Sequence, residues 1–326
     1  MKFSIVIISK DNRELLINCL KKLLEFIPSE VEVIVVESGG AISDLKYPVQ
    51  HIKLPFSEAG YSNQRNIGVK NAGGDYIVFI DDDVEVTESW FYELTKEIQE
   101  PKNLVGVMGG VMGAVFPGQP NIIGFCEGVL GHPGGGFRLH NFSKGKVIPL
   151  SQVATCNTII KKSVIQNVGW FDLKNRYGSE DTDLSIRITK KLGNNAFGYV
   201  PDAVVWHHPR NNFFKIIKWY IRRGKADADL FLKHTVHTNY LISTSIILKL
   251  LPVIVLSVIF GWIILPVAFF VWYFLQISRT RFMFNYFHLS NFSKGKRIIT
   301  FFVFPCIKLT ADVMFDIGRI VKLCSK

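Results

Sequence analysis

Short continuous runs of apolar residues alternate with helix-spaced apolar positions over the first 210 residues of the chain. The runs at 3–8 and 31–36 are apolar almost throughout, which is typical of strands buried on both faces of a sheet. Between them, Leu16, Cys19 and Leu23 follow the three- and four-residue spacing of an amphipathic helix. This order predicts an α/β fold with a mostly parallel sheet flanked by helices. The predicted strands are 3–8, 31–36, 49–54, 76–80, 104–108, 158–160 and 203–206, and the predicted helices are 15–24, 62–70, 89–99, 162–168 and 180–192.

The C-terminal third of the chain is much more apolar. From 240 to 277, a length of 38 residues, Lys249 is the only charged residue. A membrane-spanning helix needs about 20 such residues. Because Gly261 and Pro266 interrupt the stretch, we expect a hairpin of two spans. The segment 298–323 mixes apolar and charged positions, which predicts an amphipathic helix at the membrane interface or a third, poorer span.

These patterns divide the chain into two parts. We expect a catalytic domain at 1–225 and a membrane-associated helical region at 226–326. Within the first part, the stretch 109–136 is rich in glycine and proline, which predicts loops around a site rather than a linker between domains.

Charge and cysteine usage bear on the cellular setting. The net charge is +11, which can indicate binding to nucleic acid, to an anionic membrane or to a phosphate-bearing substrate. Because cations flank the apolar stretch, we expect a membrane surface and no nucleic-acid partner. The five cysteines show no C-x-x-C spacing, and the first apolar run is too short for a signal peptide. We therefore expect a protein at the cell membrane with its catalytic domain facing the cytoplasm. The flanking cations are Arg279, Arg281, Lys294, Lys296 and Arg297.

Three consecutive carboxylates, at positions 81–83, follow the predicted strand 76–80 directly. Ligands of open α/β sheets bind outside the carboxyl ends of the strands. Asp81 and Asp83 could there hold Mg²⁺ or Mn²⁺, which favour oxygen ligands and bridge carboxylates to substrate phosphates. A solvated acidic turn that caps the next helix is the alternative. Arg65, on the helix before this strand, is suited to a phosphate or a carboxylate, although it could also be a surface residue.

Two further clusters carry potential chemistry. Glu180 and Asp181 open a predicted helix, where a carboxylate can accept a proton from an attacking hydroxyl or simply cap the helix. His207 and His208 follow the last predicted strand, where a neutral imidazole could be a third metal ligand or a structural group.

Taken together, these motifs resemble the family 2 glycosyltransferases with the GT-A fold, a Rossmann-like sheet. The resemblance covers roughly residues 1–225 and rests on four segments in the expected order. They are the helix and turn Ser62–Asp75, the strand and D-x-D motif Tyr76–Glu85, the acceptor-side segment Val168–Asp172 and the Glu-Asp motif in Gly178–Leu184.

The resemblance implies roles for individual residues. Asp83 would ligate Mn²⁺ or Mg²⁺ on the donor diphosphate, Asp81 would contact the ribose or the metal, and His207 would be a further metal ligand. Asp181, beside Glu180 in the same motif, would be the general base of an inverting single displacement. The nucleotide-sugar contacts would be Ser9, Glu37, Arg65, Asp81 and Asp82.

Two departures from the family pattern affect the expected substrate. Glu37 stands where the family usually has an aspartate that holds the base or ribose. The Q-x-x-R-W motif of processive synthases is absent, and the nearest stretch is Trp219–Gly224. We therefore expect transfer of a single sugar.

The sequence leaves three functions open. The first is transfer of one sugar from a nucleotide-diphosphate sugar to a lipid-linked or membrane-proximal glycan acceptor. The second is a nucleotidyltransferase that activates a sugar or a lipid head group. The stretch Ile8–Asn12 argues against this function, because it lacks the glycines of a phosphate-binding loop. The third is a non-catalytic sugar-nucleotide binding protein, which would not require the carboxylates at 81, 83 and 181.

Overall fold

The computed structural model describes residues 1–40, 42–99, 104–112, 121–175, 177–210, 212–234, 240 and 243–325. The strands are β1 Phe3–Lys10, β2 Glu32–Gly39, β3 Gln50–Pro55, β4 Tyr76–Asp81, β5 Val84–Val86, β6 Gly106–Met112, β7 Ile148–Leu150, β8 Asn157–Lys161 and β9 Phe197–His207. The helices are α1 Arg13–Phe26, α2 Tyr61–Asn71, α3 Trp90–Gln99, α4 Ile122–Leu130, α5 Gly136–Ser143, α6 Lys162–Asn167, α7 Glu180–Leu192, α8 Phe213–His234, α9 Ile246–Phe260, α10 Ile264–Arg279 and α11 Lys294–Cys324. Two 3₁₀ segments, Phe56–Glu58 and Arg281–Leu289, complete the described elements.

The strands form one central sheet in the order β3-β2-β1-β4-β8-β6-β9-β5, with β7 added to β9. Strands β3, β2, β1 and β4 are parallel, as predicted. Strand β8 runs antiparallel to both β4 and β6, and β9 is parallel to β6. The predicted α/β architecture is therefore confirmed, with a sheet that is parallel in its first half and mixed in its second.

Both faces of the sheet are buried, which explains the continuous apolar runs. Along β1, Ile5 and Ile7 belong to one hydrophobic cluster, while Val6 and Ile8 belong to the other. Leu16 and Leu20 of α1 pack in the first cluster, and Val69 of α2 packs in the second. Because the carboxyl ends of β1 and β4 lie side by side, with Ile8 paired to Asp81, the residues that follow these strands share one edge of the sheet.

The stretch 109–136 was expected to form loops, and this prediction is wrong for 109–112, which belong to β6, and for 122–130, which form a helix. Helix α4 occupies Ile122–Leu130, although residues 113–120 lie outside the described ranges. Asn121 caps the helix by accepting a hydrogen bond from the Gly124 amide at 2.7 Å. Phe125 is fully buried and stacks on Phe287 with ring centroids 4.7 Å apart. Packing against a distant segment, which local composition does not encode, therefore stabilises this helix.

The C-terminal region is attached to the sheet domain by extensive helix packing. Helix α8 runs without a break across position 225, where the predicted boundary between the two parts lies. Helices α8 and α11 approach each other closely at Gly224 and Gly318. A Cβ atom on either glycine would meet a backbone carbonyl oxygen of the other helix. The predicted amphipathic segment 298–323 lies within α11.

The apolar stretch forms two helices, α9 and α10, which are separated at Gly261 as the pattern predicts. At about 1.5 Å per residue, their 15 and 16 residues are about 22 and 24 Å long, shorter than the ~30 Å hydrocarbon core of a bilayer. Among the described helices, α11 alone has the length and apolar composition to cross a membrane. Many apolar side chains of α9 and α10 face outward, including Phe260, Trp262 and Ile263 at the turn.

Candidate active site

A cavity of about 1130 Å³ opens at the carboxyl ends of β1 and β4. Its walls come from the residues after these two strands, from the first turns of α2 and α7, from the end of β9 and from α8. Of the site residues predicted from sequence, Ser9, Arg65, Asp81, Asp82, Asp83, Glu180, Asp181 and His207 all line this cavity.

Asp81, Asp83 and His207 form a compact cluster that could hold a metal. One ligand atom from each lies within 4.8 Å of the others. His207 Nε2 lies 3.3 Å from Asp83 Oδ1 and 3.8 Å from Asp81 Oδ2. The cluster forms because β5 pairs with β9 and sets Val84 opposite His207, next to the acidic turn.

The donor set of this cluster fits a divalent cation. His207 Nδ1 donates to the His208 carbonyl oxygen at 2.9 Å, so in the neutral ring the lone pair of Nε2 faces the two carboxylates. Burial lowers the pKa of His207, but the charges of Asp83 and Asp81 outweigh it and raise this pKa to about 9. The same negative charges would attract a metal ion. Two carboxylates with one imidazole suit Mn²⁺, and oxygen ligands alone would suit Mg²⁺ better.

Asp82 points away from this cluster toward the end of β1. The Ser9 hydroxyl donates to Asp82 Oδ2 at 2.5 Å. Burial and the neighbouring charge of Asp83 raise the pKa of Asp82 to about 7. This contact ties the ends of β1 and β4 together at the floor of the cavity.

Arg65 connects the acidic turn to the Glu-Asp motif. Its Nη1 pairs with Glu180 Oε1, and its Nη2 lies 3.5 Å from Asp81 Oδ1. Both Arg65 and Glu180 are almost fully buried. Two other polar atoms of this pair, Arg65 Nε and Glu180 Oε2, are buried without a hydrogen-bond partner. Glu180 therefore holds Arg65 in place beside the predicted metal ligands.

The carboxylates of Asp181 and Asp183 have different surroundings although both lie in the first turn of α7. Asp181 lines the cavity, and its Oδ1 accepts from the Thr182 amide at 2.7 Å. Asp183 is fully buried on the opposite side, where Arg187, Lys233 and His234 surround it. Asp181 is thus available to a substrate, whereas Asp183 joins α7 to α8.

Glu37 is buried at the end of β2, outside the described cavity lining. Its carboxylate accepts from Arg13 and lies 2.9 Å from His51 Nε2. The sequence-based role for Glu37 as a contact to the base or ribose stays a prediction.

Several cavity residues were not identified from the sequence. Arg210 pairs with Glu127, and its guanidinium lies 4.6 Å from the ring centroid of Trp219. Trp219, Arg222 and Arg223 reach the cavity from α8. The stretch Trp219–Gly224 was noted only as the nearest to an absent motif, and its place in the site depends on the packing of α8 against the sheet domain.

The family described as Glycosyl transferase family 2 matches residues 4–166, which is half of the chain. The chain belongs to this family. The expected resemblance and the assignment as a glycosyltransferase are confirmed. The two alternatives, a nucleotidyltransferase and a non-catalytic binding protein, are accordingly set aside.

Relatives of the chain include much larger proteins. The minor teichoic acid biosynthesis protein GgaB of Bacillus subtilis is 27% identical over 174 residues, covering 51% of this chain and 17% of GgaB. The O-antigen biosynthesis protein RfbC of Myxococcus xanthus is 25% identical over 214 residues, covering 57% of this chain and 16% of RfbC. The chain therefore spans only about a sixth of these relatives.

Among solved structures, the mannosyltransferase PcManGT from Pyrobaculum calidifontis, in complex with GDP-Man and Mn²⁺, shares the fold. Its TM-score is 0.54 at 15% identity, over 96% of this chain and 86% of that one. This similarity confirms the predicted GT-A fold.

Proposed function

We propose that the protein is a metal-dependent, inverting glycosyltransferase that moves one sugar from a nucleotide-diphosphate sugar to a membrane-proximal glycan or lipid-linked acceptor. The observation that carries this proposal is a single cavity with a metal-type cluster on one wall and an available carboxylate on another. Asp81, Asp83 and His207 form the cluster, and Asp181 is the carboxylate.

The donor would bind at the ends of β1 and β4. Asp83, His207 and Asp81 would hold Mn²⁺ or Mg²⁺, which when bound supplies positive charge to the leaving diphosphate. PcManGT binds GDP-Man with Mn²⁺ on the same fold, which supports this arrangement. Ser9 and Asp82 would lie under the nucleotide, while Arg65, fixed by Glu180, adds positive charge beside Asp81.

The acceptor hydroxyl would lose its proton to Asp181. As the bond from the anomeric carbon to the diphosphate weakens, positive charge develops on that carbon, and the acceptor oxygen attacks from the opposite face. Asp181 accepts the proton because its carboxylate faces the cavity and its described partners belong to its own helix turn. Glu180 cannot easily take this role, because it is committed to Arg65.

Association with a membrane is the second part of the proposal. Three observations support it: the outward-facing apolar side chains of α9 and α10, the length of α11, and the names of GgaB and RfbC, which refer to teichoic acid and O-antigen biosynthesis. A membrane-bound catalytic domain, which we expect on the cytoplasmic side, would meet a lipid-linked acceptor at high local concentration.

A thermal-shift screen of nucleotide sugars, with and without Mn²⁺, tests the donor and the metal together. A donor that binds only the native state stabilises it by about 2.7 kcal/mol at a hundred times its Kd. We expect stabilisation by one class of nucleotide that requires Mn²⁺ and is lost in Asp83→Ala. Asp202→Ala, an exposed carboxylate on the same strand as His207, is the matched control. Equal stabilisation of Asp83→Ala and wild type would refute the metal site.

A further inference from the structure

Two neighbouring arginines on α8, Arg222 and Arg223, line the cavity without a carboxylate partner. Arg223 Nη1 donates to the Ser179 hydroxyl at 3.1 Å, and Arg222 Nη1 donates to the Tyr61 hydroxyl at 3.0 Å. Among the described residues, no carboxylate oxygen lies within 4.0 Å of a guanidinium nitrogen of Arg222 or Arg223, so neither forms a salt bridge. Arg222 Nε is in addition buried without a hydrogen-bond partner. Both side chains are only partly buried, but two adjacent guanidiniums without a carboxylate partner leave positive charge available to an anion in the cavity.

The other arginines of the cavity are compensated. Arg65 pairs with Glu180, and Arg210 pairs with Glu127. Apart from Lys10 at the end of β1, the cations of the described cavity lining that lack a carboxylate partner are Arg222 and Arg223, on one turn of α8.

Arg222 and Arg223 lie toward the acceptor side of the cavity. Arg223 contacts Ser179, which directly precedes the Glu-Asp motif. Burial raises the pKa of Glu180, and the charge of Arg223 is among those that oppose this rise. Arg223 therefore lies beside the segment that carries the predicted general base.

Aromatic rings hold both guanidiniums in position. Arg222 lies 5.7 Å from the ring centroid of Tyr61, and Arg223 lies 5.6 Å from that of Trp219. Two guanidiniums held in this way present several N–H donors to one small anion. A phosphate suits them well, because its oxygens can accept paired, charge-assisted hydrogen bonds from both.

We propose that Arg222 and Arg223 bind a phosphate group of the acceptor, so that Asp181 deprotonates a hydroxyl on a phosphate-bearing molecule. This inference rests on the proposed function, because it names the acceptor class for the same site. The phosphate could belong to a lipid phosphate whose head group carries a free hydroxyl or to a soluble polyol phosphate. The chemistry of recognition is the same for both.

Calorimetric titration of the full-length protein, saturated with nucleoside diphosphate and Mn²⁺, tests the inference. The soluble probes are glycerol 3-phosphate, its carboxylate counterpart glycerate, and glycerol. The lipid probes are farnesyl phosphate and farnesol. We expect a phosphate probe to bind at least tenfold more tightly than its alcohol and than glycerate. Comparing the affinities of the two phosphate probes distinguishes the lipid source from the soluble source.

Variants then locate the site. Arg222→Gln and Arg223→Gln should each weaken binding of the phosphate probe about tenfold, with less than a twofold effect on the affinity for nucleoside diphosphate. Lys218→Gln removes the same charge from an exposed position on α8 outside the described cavity lining and should change neither affinity.

Three results would overturn the inference. They are equal or undetectable binding of phosphate probes and alcohols to the wild type, tighter binding of glycerate, and loss of nucleoside diphosphate affinity in the arginine variants. If nucleoside diphosphate with Mn²⁺ itself failed to bind the wild type, the proposed function would fail instead. The two failures are therefore distinguishable.

Discussion

Arg65 and Glu180 form a buried ion pair between α2 and α7, across 115 residues of sequence. Their side chains are 5% and 6% exposed. The same guanidinium reaches toward Asp81 at the end of β4. One side chain therefore fixes the relative positions of the donor-side carboxylates and the segment that carries the predicted general base.

Removing one partner of this pair should strongly destabilise the protein. In Arg65→Met, Glu180 would remain buried without its cation, which typically costs about 3–5 kcal/mol in the free energy of unfolding. The double variant Arg65→Met, Glu180→Gln should recover part of this loss, because no buried charge is then left unpaired. Denaturant unfolding of the purified protein measures both effects.

A matched control is Lys22→Met, which breaks the exposed Lys22–Glu25 pair on α1. Its stability should change little, because solvent screens such pairs. A loss in Arg65→Met no larger than that in Lys22→Met would contradict the structural role of the buried pair.

Asp181 and Asp183 should separate catalysis from stability. Asp181→Asn keeps the size of a side chain that faces the cavity, so folding and donor binding should be retained. Its transfer rate should fall about 10²- to 10⁴-fold, as expected on loss of a general base. Asp183→Asn should instead lower stability by roughly 1.5–3 kcal/mol, because the buried carboxylate loses its charge-assisted hydrogen bonds to Lys233, His234 and Arg187. Transfer assays together with unfolding curves test both, and near-normal turnover of Asp181→Asn would exclude it as the base.

The pKa of Asp183 predicts how the stability of the protein depends on pH in acid. Burial acts to raise its pKa, but hydrogen bonds from Lys233 and His234 and the charge of Arg187 bring this pKa below its usual value. A carboxyl group with a lowered folded-state pKa stabilises the protein above its unfolded pKa of about 3.9, and this contribution disappears as pH falls through the folded value. We therefore expect the difference in stability between wild type and Asp183→Asn to be constant at neutral pH and to shrink below about pH 4. A difference that persisted undiminished at pH 2.5 would be inconsistent with this linkage.

Sequence patterns predicted the residues that follow strands and missed those that depend on packing. The positions of Asp81, Asp83 and His207 were predictable, because each lies where a β-rich run ends. Asp181 and Asp183 look alike in sequence, and their roles differ only because α8 covers one of them. Helix α4 and the arginines of α8 escaped prediction for the same reason, since distant partners such as Phe287 and Ser179 determine their positions.

The close contact between α8 and α11 gives a test of how the C-terminal region is attached. In Gly318→Ala, the new Cβ would collide with the carbonyl oxygen of Ile221, so the helices would have to separate. Overpacking of this kind costs about 1–3 kcal/mol. Gly295→Ala, on the same helix with open space around it, should be neutral or stabilising by up to about 1 kcal/mol. Thermal unfolding in detergent compares the two, and equal melting temperatures would argue against close packing at Gly318.

The turn between α9 and α10 gives a test of membrane insertion. Trp262 and Ile263 are 68% and 69% exposed at its tip, where water would be an unfavourable surrounding for such large apolar side chains. If the tip enters the bilayer, the double variant Trp262→Glu, Ile263→Glu should reduce co-sedimentation with anionic vesicles at least tenfold, because a charge in the hydrocarbon region costs about 2.5–3.5 kcal/mol. Tyr92→Glu on α3, which is 66% exposed, introduces a charge at another apolar position and should leave vesicle binding unchanged. Undiminished binding of the double variant would mean that the tip stays outside the membrane, and α11, the longer apolar helix, would then be the element to truncate next.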